Sequence, residues 1–278
     1  MPTTRHPSDT LVLVKGGGDL GTGVAHLLFR SGFPVIVAEI EQPTMVRRTV
    51  CFAECLYAGR FMVDGVPAER AVGKSPKERL SSARTLIDKR VVPVVVDPET
   101  EILRAAHPVA LVDAIMSKRN TGTNMDQAEV VIALGPGFCA GEDVHAVIET
   151  LRGHYNGRVI LEGSAAADTG LPGPINGYVT ERMLYAPVAG RIESPLPIGT
   201  MVKEGQVIAR VDGQEVRTLI PGVLRGIMHE GLEVSEGFRI GDVDPRGVRE
   251  MCFTIADKSH AIGCGVLEAI MMFLFARP

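Results

Sequence analysis

The chain has 278 residues, of which 45% are hydrophobic and 22% charged, and its formal net charge is −4. This length suffices for one large domain or two ordinary ones, and the acidic balance argues against a nucleic-acid-binding protein, which usually carries a basic surface. The first ten residues lack the apolar stretch of a signal peptide, and the longest apolar run, 269–276, is too short to span a bilayer. The five cysteines form no C-x-x-C pair. We therefore expect a cytoplasmic protein with reduced thiols that binds neither nucleic acid nor membranes.

The first predicted element is a strand that runs into a glycine-rich turn and then a helix. A buried aliphatic run, 11–14, is followed by three glycines in the G-x-G-x-x-G spacing, Gly16, Gly18 and Gly21. In dinucleotide-binding proteins the first glycine permits the tight turn, the second lets the backbone approach a pyrophosphate, and the third lets helix and strand pack closely. With Asp19 inside the turn, this order of elements predicts a nucleotide-binding loop. The alternative is a glycine-rich turn that binds no nucleotide.

A second predicted strand, 34–38, ends at Glu39, eighteen residues after the last glycine of the turn. A carboxylate at this point is placed to bind the ribose hydroxyls of a dinucleotide. A helical pattern follows from 46 to 56, with Arg47 in its first turn, where a guanidinium could reach a ligand phosphate. A solvated arginine on a helix surface explains that position equally well.

Further aliphatic strands are predicted at 92–96, 109–112 and 130–134, and helical segments alternate with them. Continuous apolar runs of this kind are typical of a parallel sheet that is covered on both faces. Because such sheets bind ligands at the carboxyl ends of their strands, the residues that follow these strands are candidate binding residues. They are Asp113, Lys118, Gly135 and Gly137.

Three local patterns complete the first predicted domain. An Asp-Gly pair at 64–65 predicts a hairpin turn, and a serine followed by a proline at 75–76 predicts the start of a helix. Another helix is predicted near 142–151, where His145 and Glu149 would share one face. Two such side chains at helical spacing are usually surface neighbours, so we expect no metal site.

A glycine- and proline-rich linker, 170–177, precedes a second predicted domain built of short strands that repeat at an offset of 32 residues. The pattern G-x-x-V-x-x-G-x-x-I occurs at 199–208 and again at 231–240. This duplication is similar to the barrel-sandwich fold of biotinyl and lipoyl carrier domains, whose modified lysine lies on the hairpin between the two halves. Here that hairpin, 212–215, has the sequence DGQE, so we expect neither biotin nor lipoate.

The predicted chain is therefore of the α/β class and has three parts. These are a Rossmann-like doubly wound domain (1–175), an all-β barrel-sandwich domain (183–245) and a C-terminal segment (246–278). The last part ends in an apolar helix, 266–275, in which Glu268 is the one charged residue. Such a helix is buried, either against the first domain or in the interface of a homo-oligomer.

Several of these stretches together resemble one family. They are KGGGDL at 15–20, EIEQP at 39–43, GPGF at 135–138 and DPRG at 244–247. Over nearly its whole length the chain is similar to the YqeB-type accessory proteins of selenium-dependent molybdenum hydroxylases. The resemblance implies a maturation factor that acts with a molybdenum hydroxylase or its cofactor-insertion machinery. Its ligand would be NAD or molybdopterin cytosine dinucleotide, since both carry a pyrophosphate. Cys264 departs from the pattern, because a small residue in a glycine-rich turn is expected there.

Two other functions fit the same sequence. An NAD-dependent oxidoreductase would use the glycine loop but needs a proton donor, for which Asp113 with Lys118 is the best pair in the first domain. A pure interaction module would use the glycines for packing alone. The sequence therefore leaves open whether the chain is an enzyme.

Overall fold

The computed structural model describes residues 5–193 and 195–276, which form two compact units. Unit 1 contains the described residues of Met1–Glu41, Phe52–Asp168 and Ile255–Pro278, and unit 2 contains Gln42–Cys51 and Thr169–Thr254. The break between the units, after Asp168, lies directly before the predicted linker at 170–177, and the chain from Ile255 onward belongs to unit 1, one of the two placements expected for the C-terminal helix. The segment 42–51, which lies inside the first predicted domain, is grouped with unit 2.

Within the described ranges, unit 1 is built on a sheet of nine strands. They are β1 (Val12–Lys15), β2 (Val35–Glu39), β3 (Arg60–Val63), β4 (Val66–Ala71), β5 (Val92–Val96), β6 (Ala110–Asp113), β7 (Val130–Leu134), β8 (Ala146–Ile148) and β9 (Val159–Ile160). Their order across the sheet is β3-β4-β5-β2-β1-β6-β7-β8-β9. Neighbours from β4 to β8 pair in parallel, whereas the outermost strands β3 and β9 pair antiparallel. The predicted α/β class with a large, mainly parallel sheet is confirmed.

Most helices of unit 1 lie between its strands along the chain, and α5 comes at the C-terminal end. They are α1 (Asp19–Arg30), α2 (Cys55–Ala58), α3 (Pro76–Asp88), α4 (Ile102–Ala106) and α5 (Asp257–Leu274). Leu13 of β1 and Leu111 of β6 lie in one buried cluster with the apolar side chains of α3 and α4. Because side chains alternate along a strand, Val12 and Val14 face the opposite side of the sheet, and they too are fully buried. The continuous apolar runs in the sequence reflect this burial on both faces.

Two of the predicted local patterns are confirmed. Asp64 and Gly65, both with positive φ, form the turn of the β3–β4 hairpin. The α3 helix begins as its cap predicts, because the Ser75 hydroxyl accepts a hydrogen bond from the Glu78 backbone N–H at 3.3 Å.

Two predicted helices are wrong. The segment predicted as one helix over 46–56 consists of two 3-10 turns, Arg48–Val50 and Phe52–Glu54, followed by the short α2. The segment predicted as a helix near 142–151 contains β8, which pairs in parallel with β7. A short apolar run fits either a helix or a buried strand, and here pairing with the sheet decides the outcome. His145 and Glu149 therefore do not share a helix face.

The C-terminal helix α5 begins nine residues before the predicted start at 266. Its glycines are needed for close packing: a Cβ at Gly263 would lie 2.9 Å from the Gly23 carbonyl oxygen, and one at Gly265 would lie 2.0 Å from that of Gly157. The helix packs against α1 and the β7–β9 edge of the sheet. Cys264 thus lies on a helix and not in a turn, with its exposed Sγ 3.7 Å from His260 Nε2. In the part of the chain that the structure describes, no helix has the length and apolar character needed to cross a membrane.

Unit 2 contains two antiparallel sheets, and each has four strands in the described residues. The strands are β10 (Met183–Tyr185), β11 (Gly190–Glu193), β12 (Met201–Val202), β13 (Val207–Val211), β14 (Gln214–Arg217), β15 (Gly222–Ile227), β16 (Glu233–Val234) and β17 (Arg239–Asp244). The orders are β10-β17-β15-β12 and β14-β13-β11-β16. The 32-residue repeat relates β11, β12 and β13 to β15, β16 and β17, and strands of one half pair with strands of the other. The residues 42–51 join this unit, where Thr49 donates a hydrogen bond to the Cys252 carbonyl at 2.6 Å.

A buried histidine on α1 should give unit 1 a pH-dependent stability. His26 is 6% exposed, its Nε2 lies 3.3 Å from the Asp64 carbonyl oxygen, and burial lowers its pKa. The unfolded chain binds a proton at this site near pH 6.5, where the folded chain does not, so stability decreases as the pH falls through and below that value. We expect the melting temperature to fall by a few degrees between pH 7.5 and pH 5.5.

Thermal unfolding of the wild type, His26→Gln and the surface variant His154→Gln checks this expectation. The pH dependence should shrink in His26→Gln and persist in His154→Gln, which changes an exposed histidine. An equal pH dependence in all three proteins would contradict it.

Candidate functional site

The glycine-rich turn lies between β1 and α1 at the carboxyl end of the parallel strands. Its three glycines differ in whether the surrounding protein leaves room for a side chain. Gly16 has a φ of +96°, and a Cβ there would lie 2.9 Å from the Ala114 carbonyl oxygen. A Cβ at Gly21 would lie 2.0 Å from the carbonyl oxygen of Gly16. By contrast, a Cβ at Gly18 would meet no atom within 4 Å. Internal packing therefore requires the first and third glycines, whereas the second faces open space.

Hydrogen bonds to Gly17 hold the turn in place. Its N–H donates to Glu39 Oε2 at 2.7 Å, and its carbonyl accepts from the Ala53 N–H at 3.1 Å and the Thr22 hydroxyl at 3.0 Å. The other Glu39 oxygen accepts from the Ile40 N–H at 2.8 Å. Burial raises the pKa of Glu39, and these two N–H donors oppose the rise. Each carboxylate oxygen retains a further lone pair, so the predicted ribose contact is compatible with this bracing role.

The first turn of α1 is open to solvent at its N-terminus. Gly18 is the N-cap and offers no side-chain hydrogen bond, and Gly18, Asp19 and Leu20 are half-buried. The first N–H groups of a helix have no intrahelical acceptor, and the helix dipole favours an anion beside them. The Asp19 carboxylate is turned toward α5, where it accepts a hydrogen bond from the Ser259 hydroxyl at 2.6 Å. Backbone amides, and not the Asp19 side chain, are thus the groups at this helix end that can bind an anion.

A buried polar network joins the ends of β1 and β6. Lys15 Nζ donates to the Thr123 hydroxyl at 2.8 Å and lies 3.2 Å from Asp113 Oδ2. The Thr123 hydroxyl donates to the same Asp113 oxygen at 2.6 Å. Sequence reasoning found Asp113 but missed Lys15 and Thr123. The available signal was a lysine that ends an otherwise aliphatic strand.

The loops after β6 and β7 pack tightly on each other and on β8. A Cβ at Gly137 would lie 2.6 Å from the Arg119 backbone nitrogen, and a Cβ at Gly135 would lie 2.5 Å from the Thr150 hydroxyl. Close packing therefore explains both glycines without a ligand. Lys118 is exposed, and its Nζ lies 2.5 Å from Asp168 Oδ2.

A cavity of about 1070 Å³ opens at the same edge of the sheet. Lys15 lines it together with the starts of α3 and α4 and the 115–127 loop. Its volume is slightly above the usual range of about 300–1,000 Å³ for small-molecule sites, and its walls carry both cations (Lys77, Arg104) and anions (Glu99, Glu101). Sequence reasoning did not identify this cavity, because its walls come from segments far apart in the chain.

Arg47, which the sequence analysis predicts as a ligand-binding residue, lies in the 42–51 segment. Arg47 belongs to unit 2, is 9% exposed, and donates a hydrogen bond to the Met251 carbonyl oxygen at 3.4 Å. The neighbouring Arg48 donates to the Ile227 carbonyl at 2.9 Å. These arginines attach the 42–51 segment to unit 2, and a contact of Arg47 with a ligand phosphate stays a prediction.

The fold and the site define a two-unit α/β protein with a braced glycine loop at the carboxyl edge of a parallel sheet. No protein-family model matches the chain. It is 46% identical over 275 residues to the Escherichia coli (strain K12) protein described as "Uncharacterized protein YqeB", a match that covers 99% of this chain and 50% of the relative. The chain thus spans about half the length of that curated relative. It belongs to the YqeB family, which confirms the family resemblance.

Solved structures show weaker likeness. An aspartoacylase family protein from Mesorhizobium loti is 9% identical, with 84% of each chain covered and a TM-score of 0.27. TcdA (CsdL) is 15% identical, with 95% of this chain and 89% of that chain covered and a TM-score of 0.28. Scores this low carry no argument about fold or function.

Proposed function

We propose that the chain binds a dinucleotide-type ligand on unit 1 and acts as an accessory factor in the maturation of a selenium-dependent molybdenum hydroxylase. The observation that carries the ligand proposal is the contrast among the three glycines. Gly16 and Gly21 are explained by internal contacts, whereas the space beside Gly18 is empty of protein atoms within 4 Å. A pyrophosphate needs that space to approach the backbone.

The strand order supports a Rossmann-like interpretation of unit 1. Between the added edge strands, the order β5-β2-β1-β6-β7-β8 follows the 3-2-1-4-5-6 order of dinucleotide-binding sheets. The chain crosses the sheet between β5 and β6, so the switch point lies between β1 and β6. Ligands of such sheets bind at this point, outside the carboxyl ends of the strands. The glycine loop, Lys15 and Asp113 all lie there.

The paired halves of unit 2 support a barrel-sandwich fold, because strands of each half complete the sheet of the other. The turn at Asp212 and Gly213, both with positive φ, joins β13 to β14 and carries no lysine. We propose that this unit serves recognition and carries neither biotin nor lipoate. Its partner would be the molybdenum hydroxylase or its cofactor-insertion machinery, a role that rests on the family resemblance.

Ligand identity is tested by ranking thermal shifts of the purified protein with NAD, NADP, CTP and molybdopterin cytosine dinucleotide. A dinucleotide that binds the folded chain should raise its melting temperature, and at equal concentration the ligand with the lowest Kd should raise it most. We expect one of the pyrophosphate-bearing dinucleotides to give the largest shift. The absence of a shift with every compound would remove the ligand proposal.

The accessory role is tested in a strain that lacks this protein. An accessory factor should be required for the activity of the partner hydroxylase while turning over no small substrate by itself. Hydroxylase activity and the cofactor content of that enzyme are the measurements. Normal activity with a fully loaded cofactor would end the accessory proposal and favour the NAD-dependent oxidoreductase.

A further inference from the structure

The large cavity at the carboxyl edge of the sheet lies on the side of the sheet that α3 and α4 cover. Because side chains alternate along β1, Lys15 faces the same side as Leu13, which is buried with the apolar side chains of these two helices. The residues that line the cavity belong to unit 1. Of residues 5–193 and 195–276, none in α1 and none of the three motif glycines lines it. The cavity is therefore a different space from the one beside Gly18.

A buried ammonium forms part of the cavity wall. Lys15 is 8% exposed, and it lines the cavity although β1 is a central strand of the sheet. In the described part of the chain, its Nζ has two partners, the Thr123 hydroxyl at 2.8 Å and Asp113 Oδ2 at 3.2 Å. An ammonium has three N–H donors. One donor of Lys15 is thus left for an acceptor that enters the cavity.

Packing of the sheet does not explain this buried ion pair. β1 and β6 are aliphatic up to their last residues, which are Lys15 and Asp113. Replacing a buried ion pair by apolar side chains of similar volume is often neutral or stabilising. Small-molecule sites, by contrast, combine a concave surface with a few precisely placed polar or charged groups. The ion pair at the cavity wall matches that description.

Hydrogen bonds hold both sides of the cavity in place without a ligand. In the 115–127 loop, the Asn120 side chain accepts from the Thr123 N–H and donates to the Thr123 carbonyl, both at 2.8 Å. On the helical side, Asp97 accepts from the Ile102 N–H at 2.8 Å and from Arg79 at 3.3 Å, which connects the start of α4 to α3. A cavity formed in advance binds a small molecule without the cost of ordering its loops.

The charges at the cavity walls favour an anion. Lys77 and Arg104 line the cavity and are exposed, and within the described ranges neither side chain has a hydrogen bond or an ion pair. Of the two carboxylates at the walls, Glu101 is paired with Arg79 at 2.9 Å, which leaves Glu99 as the unpaired one in the same ranges. Unpaired cations therefore outnumber unpaired carboxylates at this cavity.

We propose that this cavity binds a small anionic molecule whose carboxylate or phosphate group accepts a hydrogen bond from Lys15. Asp113 and Thr123 would hold the ammonium in position, and Lys77 and Arg104 would attract the anion. The volume of about 1070 Å³ leaves room for an organic molecule around that group. The site goes beyond the proposed function, since it does not require a dinucleotide on the glycine loop.

NMR titration of the full chain tests the site, with succinate as the carboxylate probe and inorganic phosphate as the phosphate probe. Each probe is added to about 10 mM at constant ionic strength, enough to detect a Kd of about 1 mM. With at least one probe, we expect saturable shifts of the Leu103 and Ile115 methyl signals, which line the cavity, and of the Lys15 ammonium signal. The methyl signals of Ile192 and Leu224 in the core of unit 2 should not move.

The variant Lys77→Met/Arg104→Met should raise the Kd about tenfold, roughly threefold for each exposed charge. Lys89→Met/Lys203→Met, an equal charge change at exposed positions that do not line the cavity, should bind like the wild type. Lys15 is followed in the wild type, because its substitution would break the buried ion pair with Asp113.

Shifts with succinate alone would identify a carboxylate ligand, and shifts with phosphate alone would identify a phosphate ester. The absence of shifts with both probes overturns the site. So does an unmoved Lys15 signal during binding, or an equal Kd in the wild type and Lys77→Met/Arg104→Met, because the anion would then bind elsewhere. The dinucleotide proposal is tested separately by the thermal shifts, and neither result decides the other.

Discussion

Gly18→Val should abolish dinucleotide binding while leaving the fold of the chain intact. The backbone of Gly18 has φ −72° and ψ −171°, which a valine adopts readily, and a Cβ there meets no protein atom within 4 Å. The new side chain would instead fill the space that a pyrophosphate needs. We expect a loss of affinity of at least a hundredfold, with a melting temperature within about 2 °C of the wild type.

Two further variants make the result specific. Ser31→Val places the same side chain at the exposed other end of α1 and should bind ligand normally. Gly21→Ala should destabilise the fold, because its Cβ would lie 2.0 Å from a backbone oxygen. Calorimetric titration with the best ligand from the thermal-shift ranking gives the affinities. Unchanged affinity in Gly18→Val would exclude the glycine loop as the binding site.

The sequence predicts the elements of unit 1 best where local chemistry decides them. The aliphatic runs at β5 and β7 are found at their predicted residues, and Ser75 begins α3 as its cap indicates. The errors occur where a distant segment decides the structure. The apolar run of β8 becomes a strand because β7 is available to pair with it. The glycines at 263 and 265 lie inside α5 and not in a turn, at positions where α1 and Gly157 leave no room for a side chain.

The grouping of residues 42–51 with unit 2 could not be read from the sequence for the same reason. The 42–51 segment is held in unit 2 by contacts with residues about two hundred positions later, such as the bond from Thr49 to Cys252. Arg47 is near the glycine loop in sequence but belongs to unit 2. The candidate site shows the same limit, since the glycine spacing is local but the partner of Lys15, Thr123, is 108 residues away.

Lys15→Met should destabilise unit 1 by roughly 3–5 kcal/mol, the cost of breaking a buried ion pair by removing one partner. The Lys15 and Asp113 side chains are 10% and 2% exposed and lie 3.2 Å apart. Without the ammonium, the Asp113 carboxylate keeps hydrogen bonds from Thr123 and from the Ile115 N–H but loses its counter-charge. A buried carboxylate without a counter-charge is the source of the expected loss.

The paired variant distinguishes this cause from the loss of packing. In Lys15→Met/Asp113→Asn the negative charge is gone, and the asparagine oxygen can still accept the Thr123 hydroxyl, so we expect much of the stability to return. Urea unfolding followed by hydrogen exchange of the β1 and β6 amides reports on unit 1 directly. The coupling energy from the four proteins should reach 1–3 kcal/mol, the upper part of the range for residues in contact. Additive effects of the two substitutions would mean that the fold depends on the shape of these side chains and not on their charges, and that the switch point of the sheet does not need this ion pair.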